Sequence, residues 1–127
     1  VERMRKGKLR KPTLTEVLNA DRVIPTPVFR KKVKALLKRY RSLRDELMAV
    51  EADLKRDPHL GTSLGHGVFK VRVAIKSKVK GKSGGARLIT YVITEDKEVY
   101  LLSIYDKSEM DSLDTKAIKE LVAQVSH

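Results

Sequence analysis

The sequence predicts an α+β domain: a small antiparallel sheet with an N-terminal helical hairpin and a C-terminal helix. Three observations carry that prediction. Apolar residues recur at three- and four-residue spacing over 27–40 and again over 43–54, the period of a helix with one buried stripe. Three runs rich in Val, Ile, Leu and Tyr follow at 68–75, 88–94 and 99–105, each of strand length. A last helical pattern comes after an acidic stretch. Helices ahead of a block of strands, with one more behind it, suit a sheet with helices packed on one face.

Residues 1–22 hold seven basic and three acidic residues, few large apolar ones and no sustained period. They read as a basic extension, mobile or loosely docked, ahead of a domain over 23–127. Val23 and Ile24 form a short β-branched stretch stopped by Pro25-Thr26-Pro27. Thr26 suits a helix N-cap and Pro27 the first helical position. Phe29, Val33, Leu36, Leu37 and Tyr40 then make the inner stripe, with cations at 30, 31, 32, 34, 38 and 39 on the other faces. Ser42 is expected to cap a second helix with stripe Leu43, Leu47, Val50 and Leu54, ending near Asp57-Pro58.

Glycines at 61, 65 and 67 break the helical pattern before the strands begin. The short polar turn Glu95-Asp96-Lys97-Glu98 predicts a hairpin between the second and third runs. Ser112 or Asp114 is placed to cap the final helix, with Ile118, Leu121, Val122 and Val125 inward.

Composition narrows the function. With 127 residues and 41% hydrophobic content, the chain can bury a single core. Its net charge of +12 attracts polyanions, nucleic acid before an anionic membrane. No apolar run is long enough to span a bilayer and no signal-like apolar stretch opens the chain. The absence of cysteine rules out disulfides, thiolate metal sites and thiol nucleophiles. A cytoplasmic protein without cofactor or metal is expected. Two Phe, four Tyr and no Trp argue against a base-stacking platform.

The charge is also segregated. Residues 65–87 contain seven Lys and Arg and no acid, whereas acids gather at 95, 96, 98, 106, 109, 111 and 114. Alternation along 70–76 puts Lys70, Arg72, Ala74 and Lys76 on one face and Val71, Val73 and Ile75 on the other. The stretch KSKVKGKSGGAR joins the first two strands. Its lysines Lys76, Lys78, Lys80 and Lys82 have no acidic neighbour, which favours an RNA-backbone grip over a solvated hairpin tip. Arg87, at the end of that loop, is a functional cation or an edge charge paired with Glu95 or Asp106; it is mainly the family resemblance carried by these motifs that favours function. Tyr91 and Tyr105 are carried as RNA-contacting candidates beside a core or rim reading. His59 and His66 are acid–base types in a glycine-punctuated loop, where solvation is the commoner fate.

VIPTPVFRKKVKALLKRYRSL, GVFKVRVAIKSKVKGKSGGARLITYVI and VYLLSIYDKSEMDSL, in that order and spacing, resemble the RelE/ParE superfamily of bacterial toxin–antitoxin toxins, with the RelE- and HigB-like members most similar. The resemblance covers about residues 23–125. It implies a compact microbial-RNase-like fold and metal-independent cleavage of messenger RNA, in many members within the ribosomal A site. The ribose 2′-hydroxyl would attack the adjacent phosphate, giving a 2′,3′-cyclic phosphate and a 5′-hydroxyl.

Carried over motif by motif, the K-x-R strand falls on Lys70 and Arg72, the GGAR arginine on Arg87, and the basic residue after the last strand on Lys107. Some members place a tyrosine near the start of the last helix, where this chain has Met110-Asp111-Ser112-Leu113. The identity of a general acid is therefore open, with Tyr91 or Tyr105 as substitutes.

The residue types suit the chemistry. A guanidinium matches two phosphate oxygens at once, a role for Arg87 assisted by Arg72. A lysine acts as base when like charges around it favour its neutral form, which points to Lys70 among Arg72, Arg87 and Lys76. Lys107 is a phosphate clamp or the acid. The resemblance also implies an antitoxin partner that covers the basic face or displaces the last helix. Two other readings stand beside the ribonuclease: a ParE-like toxin acting on DNA gyrase, and a non-catalytic RNA-binding module. Four convergent cations favour the first.

Overall fold

The computed structural model describes residues 22–77, 84–95, 98–110 and 112–125. The expected extension over 1–22 therefore lies almost wholly outside the described residues, as do Lys78, Lys80 and Lys82.

The described residues open with strand β1 (Val23–Pro25), then helices α1 (Pro27–Arg39) and α2 (Leu43–Arg56). Strands β2 (Thr62–Gly65), β3 (Val68–Val73), β4 (Ala86–Ile93) and β5 (Glu98–Asp106) follow, and helix α3 (Thr115–Ala123) comes last. Thr26 caps α1 as expected, its Oγ1 accepting from the Phe29 N–H at 3.4 Å with Pro27 as first helical residue. Asp114 caps α3, accepting from the Ala117 N–H at 2.8 Å. Ser42 precedes α2 but caps none of its N–H groups. Its hydroxyl instead bonds Glu46 and Ser77.

The five strands form one sheet in the order β1-β5-β4-β3-β2. Strands β2 to β5 pair antiparallel, but β1 runs parallel to β5, with Val23 opposite Val99 and Pro25 opposite Leu101. The sheet is thus mixed rather than wholly antiparallel. A three-residue strand that feeds straight into a helix has no hairpin to set its direction. It is held by tertiary bonds: the Thr26 N–H donates to the Leu101 carbonyl at 3.0 Å, and the Thr26 hydroxyl to the same oxygen at 2.8 Å. Strand β2 lacks the β-branched signature, and its four residues are exposed.

Helices lie on both faces of the sheet, not on one. On the first face Phe29, Val33 and Leu36 from α1 and Leu43, Leu47 and Leu54 from α2 pack with Val71, Val73, Ile75, Leu88 and Ile104. Each such side chain contributes about 1.5–3 kcal/mol when fully buried. On the second face Ile118, Leu121, Val122 and Val125, from α3 and the residues after it, meet Val68, Ile89, Leu102 and Tyr105. By alternation Lys70 and Arg72 share the second face with Val68. They stand beyond the part of it that α3 covers.

Candidate functional site

The site is built on the second face by three neighbouring strands. Arg72 of β3 pairs directly with Arg87 of β4, and Arg87 in turn with Tyr105 of β5. Lys70 lies two residues before Arg72 and pairs across to Thr62 of β2. Lys107 is the first residue after β5. Lys70, Arg72, Arg87 and Lys107 line one cleft of about 320 Å³, together with Gly61 and Thr62. Residues directly opposite in an antiparallel pair project to the same side, so the register itself brings the two guanidinium groups together. Among the described residues no carboxylate lines the cleft, and Lys70 and Arg72 form no ion pair.

Arg87 is the buried member, 6% exposed, whereas Arg72 is exposed and Lys70 half-buried. The Arg87 Nη1 donates to the carbonyls of Gly84 and Ala86, the latter at 3.1 Å. The guanidinium is thus oriented by backbone rather than neutralised by an acid. The alternative pairing with Asp106 does not occur, because that carboxylate is engaged elsewhere.

Two glycines ahead of β4 bring Lys107 in. Gly84 and Gly85 have φ of +85° and +55°, a region costly for other residues. A Cβ on Gly84 would stand 2.5 Å from Lys107 Cγ and 3.4 Å from an Arg87 Nη2. A Cβ on Gly85 would collide with the Val73 carbonyl oxygen. The lysine stem therefore crosses over a bare backbone beside Arg87. The Lys107 N–H donates to the Gly85 carbonyl at 3.0 Å.

Behind the cleft is a cluster that sequence reasoning missed. Asp106, 1% exposed, accepts from the Tyr40 hydroxyl at 2.5 Å, Arg39 at 3.3 Å, and the Ser108 N–H and hydroxyl at 2.9 and 2.7 Å. Arg39 also pairs with Glu109 at 2.8 Å and sits 5.1 Å from the Tyr40 ring centroid. The hydrogen bond to Asp106 raises the Tyr40 pKa above its ordinary value, and burial adds to the rise. Bonding to Glu109 raises that of Arg39. Helical spacing alone places Tyr40 in the core. It does pack against the core, but its hydroxyl reaches across to the sheet. The available signal was an acid at the end of a strand, beside the K-S pair that follows it.

The remaining candidates stand apart from the cleft. Lys76 is exposed and anchors the loop by its backbone, its N–H donating to Glu46 at 2.6 Å. Tyr91 lines two other clefts, of about 490 and 710 Å³, together with the exposed His66. Tyr105 faces the same side as Arg87 but is buried in the second apolar cluster. His59 packs edge-on against Phe69 at 5.4 Å. Among the described residues no three His, Cys, Asp or Glu side chains gather as a metal site, and no helix is long and apolar enough to cross a membrane.

The architecture is similar to that of a doubly arginine-to-alanine-substituted mutant of the E. coli toxin RelE in the free state. The TM-score is 0.51 at 17% sequence identity, covering 81% of this chain and 95% of that one. At that identity the likeness speaks for the fold alone: among the described residues, three helices and a five-stranded mixed sheet. The sequence itself matches the family model described as the RelE toxin of the RelE/RelB toxin–antitoxin system over residues 26–127, from the α1 cap through all four cleft cations to the last residue. On that match, which takes in most of the sequence, the chain belongs to the RelE toxin family, the toxin half of a toxin–antitoxin pair whose other half is an antitoxin protein.

Proposed function

We propose that the chain is an endoribonuclease that cleaves messenger RNA in association with the ribosome, without a metal, and so inhibits translation. The observation that carries this reading is the convergence of Lys70, Arg72, Arg87 and Lys107 on one cleft with no carboxylate among the described residues that line it. Such a cleft attracts a phosphodiester and stabilises the extra negative charge that develops on its non-bridging oxygens in the transition state.

In the proposed reaction the 2′-oxygen forms a bond to the adjacent phosphorus and the bond to the 5′-oxygen breaks. Arg87, oriented by two carbonyls, holds the non-bridging oxygens, and Arg72 opposite it shares that charge. Lys70, which lines the same cleft, is placed to accept the 2′-hydroxyl proton. Lys107 returns a proton to the departing 5′-oxygen, or clamps the phosphate while solvent supplies that proton. Messenger RNA and ribosomal RNA are the nucleic-acid partners on this reading, and Lys76, with Lys78, Lys80 and Lys82, grips their backbone.

A cell-free translation reaction with one defined messenger tests it, run with the wild-type chain and with Arg72→Ala. RNA ends are mapped by primer extension with and without ribosomes. Cuts inside the reading frame that carry a 5′-hydroxyl on one product and a 2′,3′-cyclic phosphate on the other, absent with Arg72→Ala, are the expected result. No cuts from folded wild-type protein would overturn it. Inhibition of gyrase supercoiling would then take its place.

A further inference from the structure

Lys107 is held from both sides by groups outside the cleft, and these have no part in the reaction as drawn above. It stands at the point where the chain leaves the sheet. Asp106, just before it, turns its carboxylate the other way, toward the C-terminal end of α1. Both carboxylate oxygens are used: Oδ2 by the Tyr40 hydroxyl at 2.5 Å and Arg39 at 3.3 Å, Oδ1 by the Ser108 N–H at 2.9 Å and hydroxyl at 2.7 Å. The Asp106 carbonyl accepts from the Glu109 and Met110 N–H groups at 3.0 and 3.2 Å, which closes the turn. The Lys107 N–H is bound to Gly85.

The backbone of Lys107 is therefore fixed before it, after it and at its own amide, while its side chain crosses Gly84 into the cleft. A lysine side chain is long and flexible, so a fixed starting point is what narrows the reach of its ammonium. Stability alone does not explain a nearly fully buried carboxylate here, since a packed apolar pair commonly serves as well or better.

We propose that Asp106 and Tyr40 are positioning residues for Lys107, acting through the turn at 106–110 to set its ammonium beside Arg87. The consequence for cleavage rests on the ribonuclease reading; the consequence for the place of Lys107 does not.

The test uses the full chain and a double-mutant cycle of Tyr40→Phe with Lys107→Ala, with melting curves to confirm folding. Tyr40→Phe keeps the ring and removes one donor to Asp106. Cleavage at saturating messenger is expected to fall about tenfold or more, as for a displaced catalytic group. In the Lys107→Ala background the same change is expected to cost nothing further. Equal losses in both backgrounds would overturn the proposal.

A second readout needs no cleavage. Tyr40→Phe is expected to shift the Lys107 amide and side-chain resonances in NMR spectra and to leave those of Lys70 unmoved; unshifted Lys107 resonances would overturn the proposal. If wild-type protein cuts no RNA, the ribonuclease reading fails and the NMR result alone decides the positioning claim. Ser108→Ala, at an exposed residue that donates to the same carboxylate, takes the place of Tyr40→Phe should that variant not fold, with the same outcomes.

Discussion

Arg87 and Arg72 are cross-strand neighbours with opposite exposure, and the difference decides what each substitution would report. Arg87 is almost fully buried, and both of its bonds leave from Nη1. Among the described residues Nη2 and Nε have no hydrogen-bond acceptor. Arg87→Lys retains the charge and loses the planar fork. Cleavage in the translation assay is expected to fall about a hundredfold or more, the cost typical of losing an aimed charge-stabilising donor. Arg72 is exposed, so Arg72→Ala is expected to change unfolding free energy by no more than about 0.5 kcal/mol while cutting activity to a similar degree. A variant that lost both fold and activity would assign Arg72 to structure instead. Gly84→Ala places a methyl group where the Lys107 stem runs. It is expected to lower activity by more than its loss of stability accounts for, read from melting curves and cleavage rates on the same samples.

At the scale of elements, the strand–helix joint at Thr26 ties β1, β5 and α1 together. Its hydroxyl caps α1 and bonds the Leu101 carbonyl from a buried position. Thr26→Ala is expected to destabilise the fold by about 1–2 kcal/mol in urea titration, and Thr26→Ser to restore most of it.

The Tyr40–Asp106 contact makes a pH-dependent prediction at the same scale. The hydrogen bond to Asp106 raises the folded-state pKa of Tyr40 above the ordinary 10.0. A group whose pKa is higher in the folded state contributes stability that is fully present below its unfolded pKa and is lost as pH rises through the folded value. Wild-type protein should therefore lose melting temperature above a pH of about 10 more steeply than Tyr40→Phe. Parallel curves for the two proteins would show that the contact carries no such linkage.

The described residues form a sheet with one face packed under two helices, except at the exposed edge strand β2, and one divided face, and the charge is distributed to match. Helices α1 and α2 pack on the first face, and α3 covers only part of the second. The four cleft cations occupy what remains. Binding of a single-stranded RNA carrying a 2′-deoxy substitution at the cut site should weaken with salt. Neutralising four phosphates corresponds to a log–log slope of about −3. Arg72→Ala should flatten that slope by about 0.7, measured by fluorescence anisotropy from low to moderate salt. An unchanged slope would place the bound RNA away from the cleft.

The sequence by itself determined the class of fold, the helix cap at Thr26, and the buried face of Val71, Val73 and Ile75; for the last helix it offered Ser112 or Asp114, and the structure selects Asp114. These follow from local periodicity and local hydrogen bonding, which a linear pattern carries. It also nominated the four cations, through the charge segregation of 65–87 and the family resemblance.

Tertiary structure decided the rest. The parallel course of β1 depends on bonds from Thr26 to Leu101, 75 residues away. Strand β2 is held by pairing with β3 and not by its own composition. The irregularity between Ile89 and Thr90 changes the phase of β5, so that Val99 and Leu101 face the same side as Ile104. Strict alternation cannot reproduce that, and it is why α3 finds Leu102 and Tyr105 on the opposite face. The joining of Tyr40 to Asp106 spans 66 residues. Only the packing of α1 against the end of β5 brings that phenol and that carboxylate within hydrogen-bonding distance.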